Sequence, residues 1–150
     1  MRARVAWGSW IVVALALALA LGVACATAEP GEAPVLSFDD EEWVLVEISG
    51  EPLAAGGPEA TLRYDAAERR VGGSAGCNRY FGGLLEGPEG GAFRLGPVGA
   101  TRMMCPPPEM ELERRFLEQL GATRRWERTG ERLELSGETA SLVFEARPRF

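Results

Sequence analysis

Cys77 and Cys105 are the cysteines beyond the apolar start of the chain, and each has neighbours that invite a chemical reading. Cys77 is wrapped in glycines, in Gly73-Ser-Ala-Gly-Cys-Asn-Arg-Tyr-Phe-Gly-Gly83. Cys105 follows Met103 and Met104 and precedes three prolines. Thiols so placed are candidates for a nucleophile, for a soft copper(I) site shared with the methionines, for a disulfide, or for two buried free thiols. A thiol nucleophile needs a base or a local positive charge, and the chain has no histidine. Arg79 and Arg102 supply charge but accept no proton at neutral pH. Adjacent methionines at a strand end are expected to pack in the core rather than to ligate.

The missing residue types close further routes. Every basic residue is an arginine. Without histidine or lysine there is no Ser-His or Cys-His pair, no Schiff base, no Ser-Lys dyad and no P-loop lysine. Carboxylate-pair chemistry stays formally open, since acids are plentiful, but no spacing singles out a pair. No catalytic residue, metal or cofactor is therefore assigned. With a net charge of -6, a nucleic-acid partner is not expected, because phosphate binding calls for a basic surface.

The elements that must position these residues begin after an export signal. Met1-Arg-Ala-Arg4, an apolar run from Val5 to Ala24, and small residues beyond it give the charged start, hydrophobic middle and cleavable end of such a signal. Gly22-Val-Ala-Cys25 resembles a bacterial lipobox, which makes residues 1–24 a lipoprotein signal peptide and Cys25 the lipidated N-terminus. Cleavage after Ala26-Thr-Ala28, or an uncleaved anchor, are the alternatives. Ala26 in place of aspartate leans toward the outer membrane. The protein is thus expected outside the cytoplasm, tethered by its lipid in the periplasm or at the cell surface. Acylation or removal of Cys25 leaves Cys77 and Cys105 as an even pair in an oxidising compartment, where a disulfide is the expectation. Residues 25–40, rich in proline, small and acidic residues, read as a flexible tether with a reach of about 20 Å.

The remaining chain, residues 41–147, shows short alternating runs broken by glycine. Trp43–Ile48 reads as a strand with Val44, Val46 and Ile48 on one face and Trp43 and Leu45 on the other. Thr61–Tyr64, Arg69–Ala75, Tyr80–Leu85 and Ala92–Met104 follow, with Thr101, Met103 and Cys105 on one side of the last. From Glu109 to Leu120, Leu112, Phe116, Leu117 and Leu120 fall at helical spacing, with Gly121 as terminator. Arg125–Leu135 reads as a hairpin about Thr129-Gly130, and Thr139–Glu145 as a closing strand. Strands, one main helix and more strands, without βαβ alternation, give an α+β domain with a curved, mostly antiparallel sheet. Asn78 is expected to serve its turn by local bonding in left-handed backbone. Glu111, Glu113, Arg114, Arg115 and Glu118 make a solvated helix face. Arg124, Arg125, Arg128 and Arg132 form a basic cluster for which Glu127, Glu131 and Glu134 are cross-strand partners.

Residues 43–144 resemble the META/HslJ family of small bacterial envelope proteins. The resemblance rests on Trp43-x-Leu45-x-x-Ile48-x-Gly50, Gly76-Cys77-Asn78-x-Tyr80-x-Gly82 and Thr101-x-Met103-x-Cys105, and it continues through Glu109, Glu113, Phe116, Leu120, Leu133-x-Leu135 and Leu142-x-Phe144. It implies an α+β fold, frequent lipid anchoring and an association with heat shock or envelope stress, and it carries no catalytic residues. The resulting expectation is a monomeric, non-enzymatic envelope lipoprotein that contributes to stress tolerance by binding another envelope protein. The alternative is an inhibitor or binding module acting on an envelope hydrolase through the irregular Gly83–Gly91 loop. A carboxylate enzyme acting on cell-wall glycans is the third reading.

Overall fold

A computed structural model describes residue 38, residues 41–87 and residues 89–147. The signal segment, Cys25 and the tether other than Phe38 lie outside the described residues. The strands are β1 (Trp43–Ile48), β2 (Glu51–Pro52), β3 (Thr61–Asp65), β4 (Arg70–Ser74), β5 (Arg79–Glu86), β6 (Arg94–Ala100), β7 (Arg125–Thr129), β8 (Arg132–Ser136) and β9 (Ser141–Ala146), with helix α1 (Pro107–Ala122) between β6 and β7. Eight strands run in the order β6-β5-β4-β3-β1-β9-β8-β7, and short β2 adds to β1. All the pairings are antiparallel. The sheet curls until its two ends touch: Ala92, just before β6, bridges Arg125 of β7, and the Phe93 N–H donates to Arg124 O at 2.9 Å.

Alternation sets the inner face. Tyr80, Gly82 and Leu84 of β5 point inward, as do Leu62 and Tyr64 of β3, Leu133 and Leu135 of β8, and Leu142 and Phe144 of β9. Strand β1 departs from strict alternation. Trp43, Leu45 and Ile48 are all buried, because a register shift between Leu45 and Glu47 inserts one extra residue and returns Ile48 to the inner face.

Helix α1 starts on Pro107, where a missing N–H costs nothing, and runs past Gly121 to Ala122. Thr123 is the cap, its hydroxyl donating to Leu120 O at 2.7 Å, so Gly121 lies within the last turn rather than ending the helix. Leu112, Phe116 and Leu120 are buried against β1, β6 and β9. Phe116 meets Tyr80 at 5.3 Å and Phe144 at 6.3 Å between ring centroids, both edge-on. Among the described residues no helix is long and apolar enough to cross a membrane.

A second aromatic group gathers around Phe38, which is fully buried against Tyr64, Phe93 and Trp126 at 5.2, 6.0 and 5.0 Å. Its carbonyl accepts the Trp43 indole N–H at 2.9 Å. Phe38 falls in the stretch that composition reads as tether, so the folded unit takes in at least this residue ahead of β1. The Gly83–Gly91 stretch is also less of a loop than its glycines suggest. Gly83–Glu86 belong to β5, and Glu89–Gly91 form one 3-10 turn. Tied by the Arg94–Glu86 ion pair at 2.6 Å and by buried Phe93, it is a short fastened turn.

Candidate functional site

The two quoted motifs meet at the start of α1. The β4–β5 turn, Ala75–Asn78, lies against the first turns of the helix. A Cβ added at Gly76 would sit 2.9 Å from Glu109 O, and Gly76 holds a φ of 114°, a conformation that L side chains rarely adopt. Cys77 and Cys105 are joined by a disulfide with Cα atoms 5.8 Å apart. By the chain-entropy argument a bridge across this separation stabilises the fold by about 3.5 kcal/mol. The thiolate that nucleophilic or copper chemistry would need is thereby removed.

Asn78 is the centre of the arrangement, with 2% exposure. Its Oδ1 accepts from the Thr101 hydroxyl at 2.8 Å and from the Met103 N–H at 2.7 Å. Its Nδ2 donates to Met103 O at 3.3 Å and to Glu113 Oε1 at 3.2 Å. Its backbone N–H donates to Glu113 Oε2 at 2.8 Å. The amide's two donors and two lone pairs are thus all used, which is what allows so polar a side chain to be buried. Thr101 extends the network by accepting the Arg79 N–H at 3.1 Å. The result is a clasp that fastens the β4–β5 turn, the 101–106 segment and helix α1 to one another.

Several expectations change here. The Asn78 side chain does not bond locally; its partners lie 23 to 35 residues away, while only the backbone carbonyl closes the turn by accepting the Ala75 N–H at 2.8 Å, and the left-handed position in the turn is Gly76. Glu113 leaves the solvated helix face to hold Asn78. Its spacing of three, four and seven residues to Phe116, Leu117 and Leu120 was the sequence signal for an inward position. Met103 and Met104 are not core packing: they are 54% and 93% exposed. The segment after β6 follows the clasp instead of a strand, so its backbone turns inward to Asn78 while its thioethers face outward. Tyr80 lies in the core, its hydroxyl donating to Thr61 O at 3.0 Å, and burial pushes its phenol far above the ordinary range. It therefore stays protonated through the neutral range. Gly82 faces inward on β5, opposite Val71 and Val98, outside the clasp.

The remaining charged groups are distributed over the surface. Arg114 pairs with Glu111 at 2.7 Å and with Glu118 at 3.1 Å on the exposed helix face. In the basic cluster, Arg124 donates to Gly121 O and Thr123 O at the helix C-terminus, where the dipole favours a cation. Arg128 pairs with Glu41 at 3.0 Å and lies over the Trp43 ring at 4.9 Å. Glu127 and Glu134, expected as cross-strand partners for these arginines, instead face each other. Among the described residues no group of three or more His, Cys, Asp or Glu side chains is placed to hold a metal ion.

Solved structures share this architecture. A protein from Burkholderia xenovorans determined by NMR is 25% identical, with a TM-score of 0.60, the match covering 81% of this chain and 98% of that one. A second NMR structure is 24% identical with a TM-score of 0.55, over 70% of this chain and 87% of the other. The crystal structure of a DUF4847 family protein from Bacteroides vulgatus is similar in fold at 15% identity, with a TM-score of 0.53, over 75% and 96% of the two chains. No curated protein matches. The model of the META domain matches residues 36–149, a span that takes in both halves of the clasp, all the strands and Phe38. A curled antiparallel sheet fastened to one helix through Cys77, Asn78 and Cys105 is thus this chain's form of a known domain, and the protein belongs to the META domain family.

Proposed function

We propose that this META domain protein is a non-enzymatic module of the cell envelope, carried on a lipid at Cys25, that contributes to stress tolerance by binding another envelope protein. The observation that carries the reading is the presentation of Met103 and Met104. The Met103 backbone is held by the Asn78 bonds and Met104 lies between it and the disulfide at Cys105, while the side chains stand in solvent at 54% and 93% exposure. Thioethers are adaptable apolar contacts, and a pre-ordered backbone lowers the entropy lost on binding. The export signal and the family resemblance support the envelope setting. The use of the motif side chains in structural bonds supports a binding role over catalysis.

The test has two parts. Intact mass of protein extracted from its native membrane is expected to show a lipidated Cys25 start, and an unlipidated start would remove the tether. A photo-crosslinker at position 104 in stressed cells is expected to capture one defined exported protein, and Met103→Ser/Met104→Ser is expected to abolish capture and stress tolerance together without changing the melting temperature. No capture, with envelope integrity unchanged on deletion, would remove the ground for the proposal.

A further inference from the structure

The outer face of the β3–β5 region carries a second feature, away from the clasp. Cross-strand register sets Arg63, Gly72, Phe81 and Gly99 in one row across β3, β4, β5 and β6. The row is low in the middle because Gly72 has no side chain, and an open groove of about 1000 Å³ passes over it. Arg63 on β3 stands on one flank, with Phe81 and Arg79 of β5 on the other. Phe81 is 50% exposed, and its ring lies across Gly99, where a Cβ would fall 2.8 Å from the ring carbons Cε2 and Cζ.

The charges of the groove divide into satisfied and unsatisfied groups. Arg147 pairs with Glu42 at 2.9 Å and also with Glu59, and Arg70 pairs with Glu68 at 3.2 Å while lying 5.6 Å from the Phe81 centroid. The guanidinium groups of Arg63 and Arg79 have no acceptor among the described residues. The lining as a whole is neutral, four arginines against Glu42, Glu59, Asp65 and Glu68, but Asp65 stands opposite Arg70, so Arg63 and Arg79 remain a local positive pair in a chain of net charge -6. Two strands and two residues of offset put their Cα atoms about 12 Å apart, a spacing that suits repeated carboxylates better than a single one.

An extended peptide fits this groove poorly. Strand β4 is hydrogen-bonded on both sides, so it offers no free backbone edge, and the glycine floor has no pockets for side chains. An exposed ring beside planar guanidinium forks suits instead a flat, hydroxyl-rich, anionic chain: the ring takes the C–H face of a sugar, and the arginines take carboxylates bidentately. We propose that the groove over Gly72 binds a carboxylate-bearing glycan chain, with a sugar ring on Phe81 and successive carboxylates on Arg63 and Arg79. This site is independent of the proposed protein contact, since Met103 and Met104 do not line it.

The test is titration of the full chain in detergent with short oligogalacturonates, read by calorimetry and by the amide shifts of Gly72, Gly73 and Phe81. A neutral oligosaccharide of equal length, galacturonate monomer and polyglutamate are the comparators. Saturable binding of the oligomer is expected, about tenfold weaker in Phe81→Ala and in Arg63→Ala/Arg79→Ala, the arginine variant leaving the melting temperature unchanged because both side chains stand in solvent. All three comparators are expected to bind at least about tenfold more weakly. Met104→Ser is expected to leave the oligomer affinity unchanged. No saturable binding, equal binding of the neutral sugar, the monomer or polyglutamate, or undiminished affinity in both groove variants would overturn the proposal.

Discussion

Asn78 shows how one side chain joins segments that are distant in sequence. Replacing it by alanine removes the partner of the Met103 N–H, of the Thr101 hydroxyl and of one Glu113 oxygen. The expected cost is about 3 kcal/mol, measured by urea unfolding, with Thr101→Ala costing less because its hydroxyl is nearer solvent. Tyr80 gives a prediction in pH. An unfolded tyrosine ionises near 10, whereas burial holds the native phenol protonated well above that value. The native state therefore keeps a proton that the unfolded chain releases. Stability from this group is full below about pH 10 and falls as pH rises past it, by about 1.4 kcal/mol per pH unit. No lysine titrates in the same range. The stability difference between the wild type and Tyr80→Phe is expected to shrink above pH 10, and a constant difference would contradict the burial argument.

At the scale of elements, the β4–β5 turn and the interior of β5 respond differently to the same chemical change. Gly76→Ala combines a left-handed backbone with a 2.9 Å approach to Glu109 O, so the turn must move off the helix. A loss of at least about 2 kcal/mol is expected, together with weaker protection of the Asn78 and Met103 amides from hydrogen exchange. Gly83→Ala meets nothing within 4 Å and sits in ordinary strand backbone. It is expected to be neutral or to stabilise by about 0.5 kcal/mol, through lower entropy of the unfolded chain. If the two variants unfold alike, the turn does not depend on its contact with α1.

For the whole molecule, the question is where the folded unit begins and what closes the sheet. The sheet ends touch at Ala92 and Arg125, next to Phe93, and Phe38 packs on Phe93 and Trp126 from a segment ahead of β1. Closure therefore depends on a residue outside the strands. Phe38→Ala is expected to cost about 3 to 5 kcal/mol in chemical denaturation, as large-to-small changes of buried phenylalanines do. A truncation that starts at residue 41 is expected to lose as much, whereas one that starts at residue 34 is expected to keep full stability.

The sequence by itself determined the local order of elements, because side-chain period is a local property. Leu62 and Tyr64, Leu133 and Leu135, and Leu142 and Phe144 alternate in the text as they do in the core, and the spacing from Leu112 to Leu120 marks the helix in both. The glycine at the hairpin tip, Gly130, was equally legible, its φ of 61° being the reason a glycine stands there. Tertiary structure decided what depends on partners far along the chain. The bulge that turns Ile48 inward follows from pairing with β9, and the roles of Asn78 and Glu113 follow from bonds spanning up to 35 residues. The exposure of Met103 and Met104 was hidden for the same reason. Nothing in two adjacent methionines tells that the backbone of the first is claimed by Asn78, an arrangement in which both side chains face solvent.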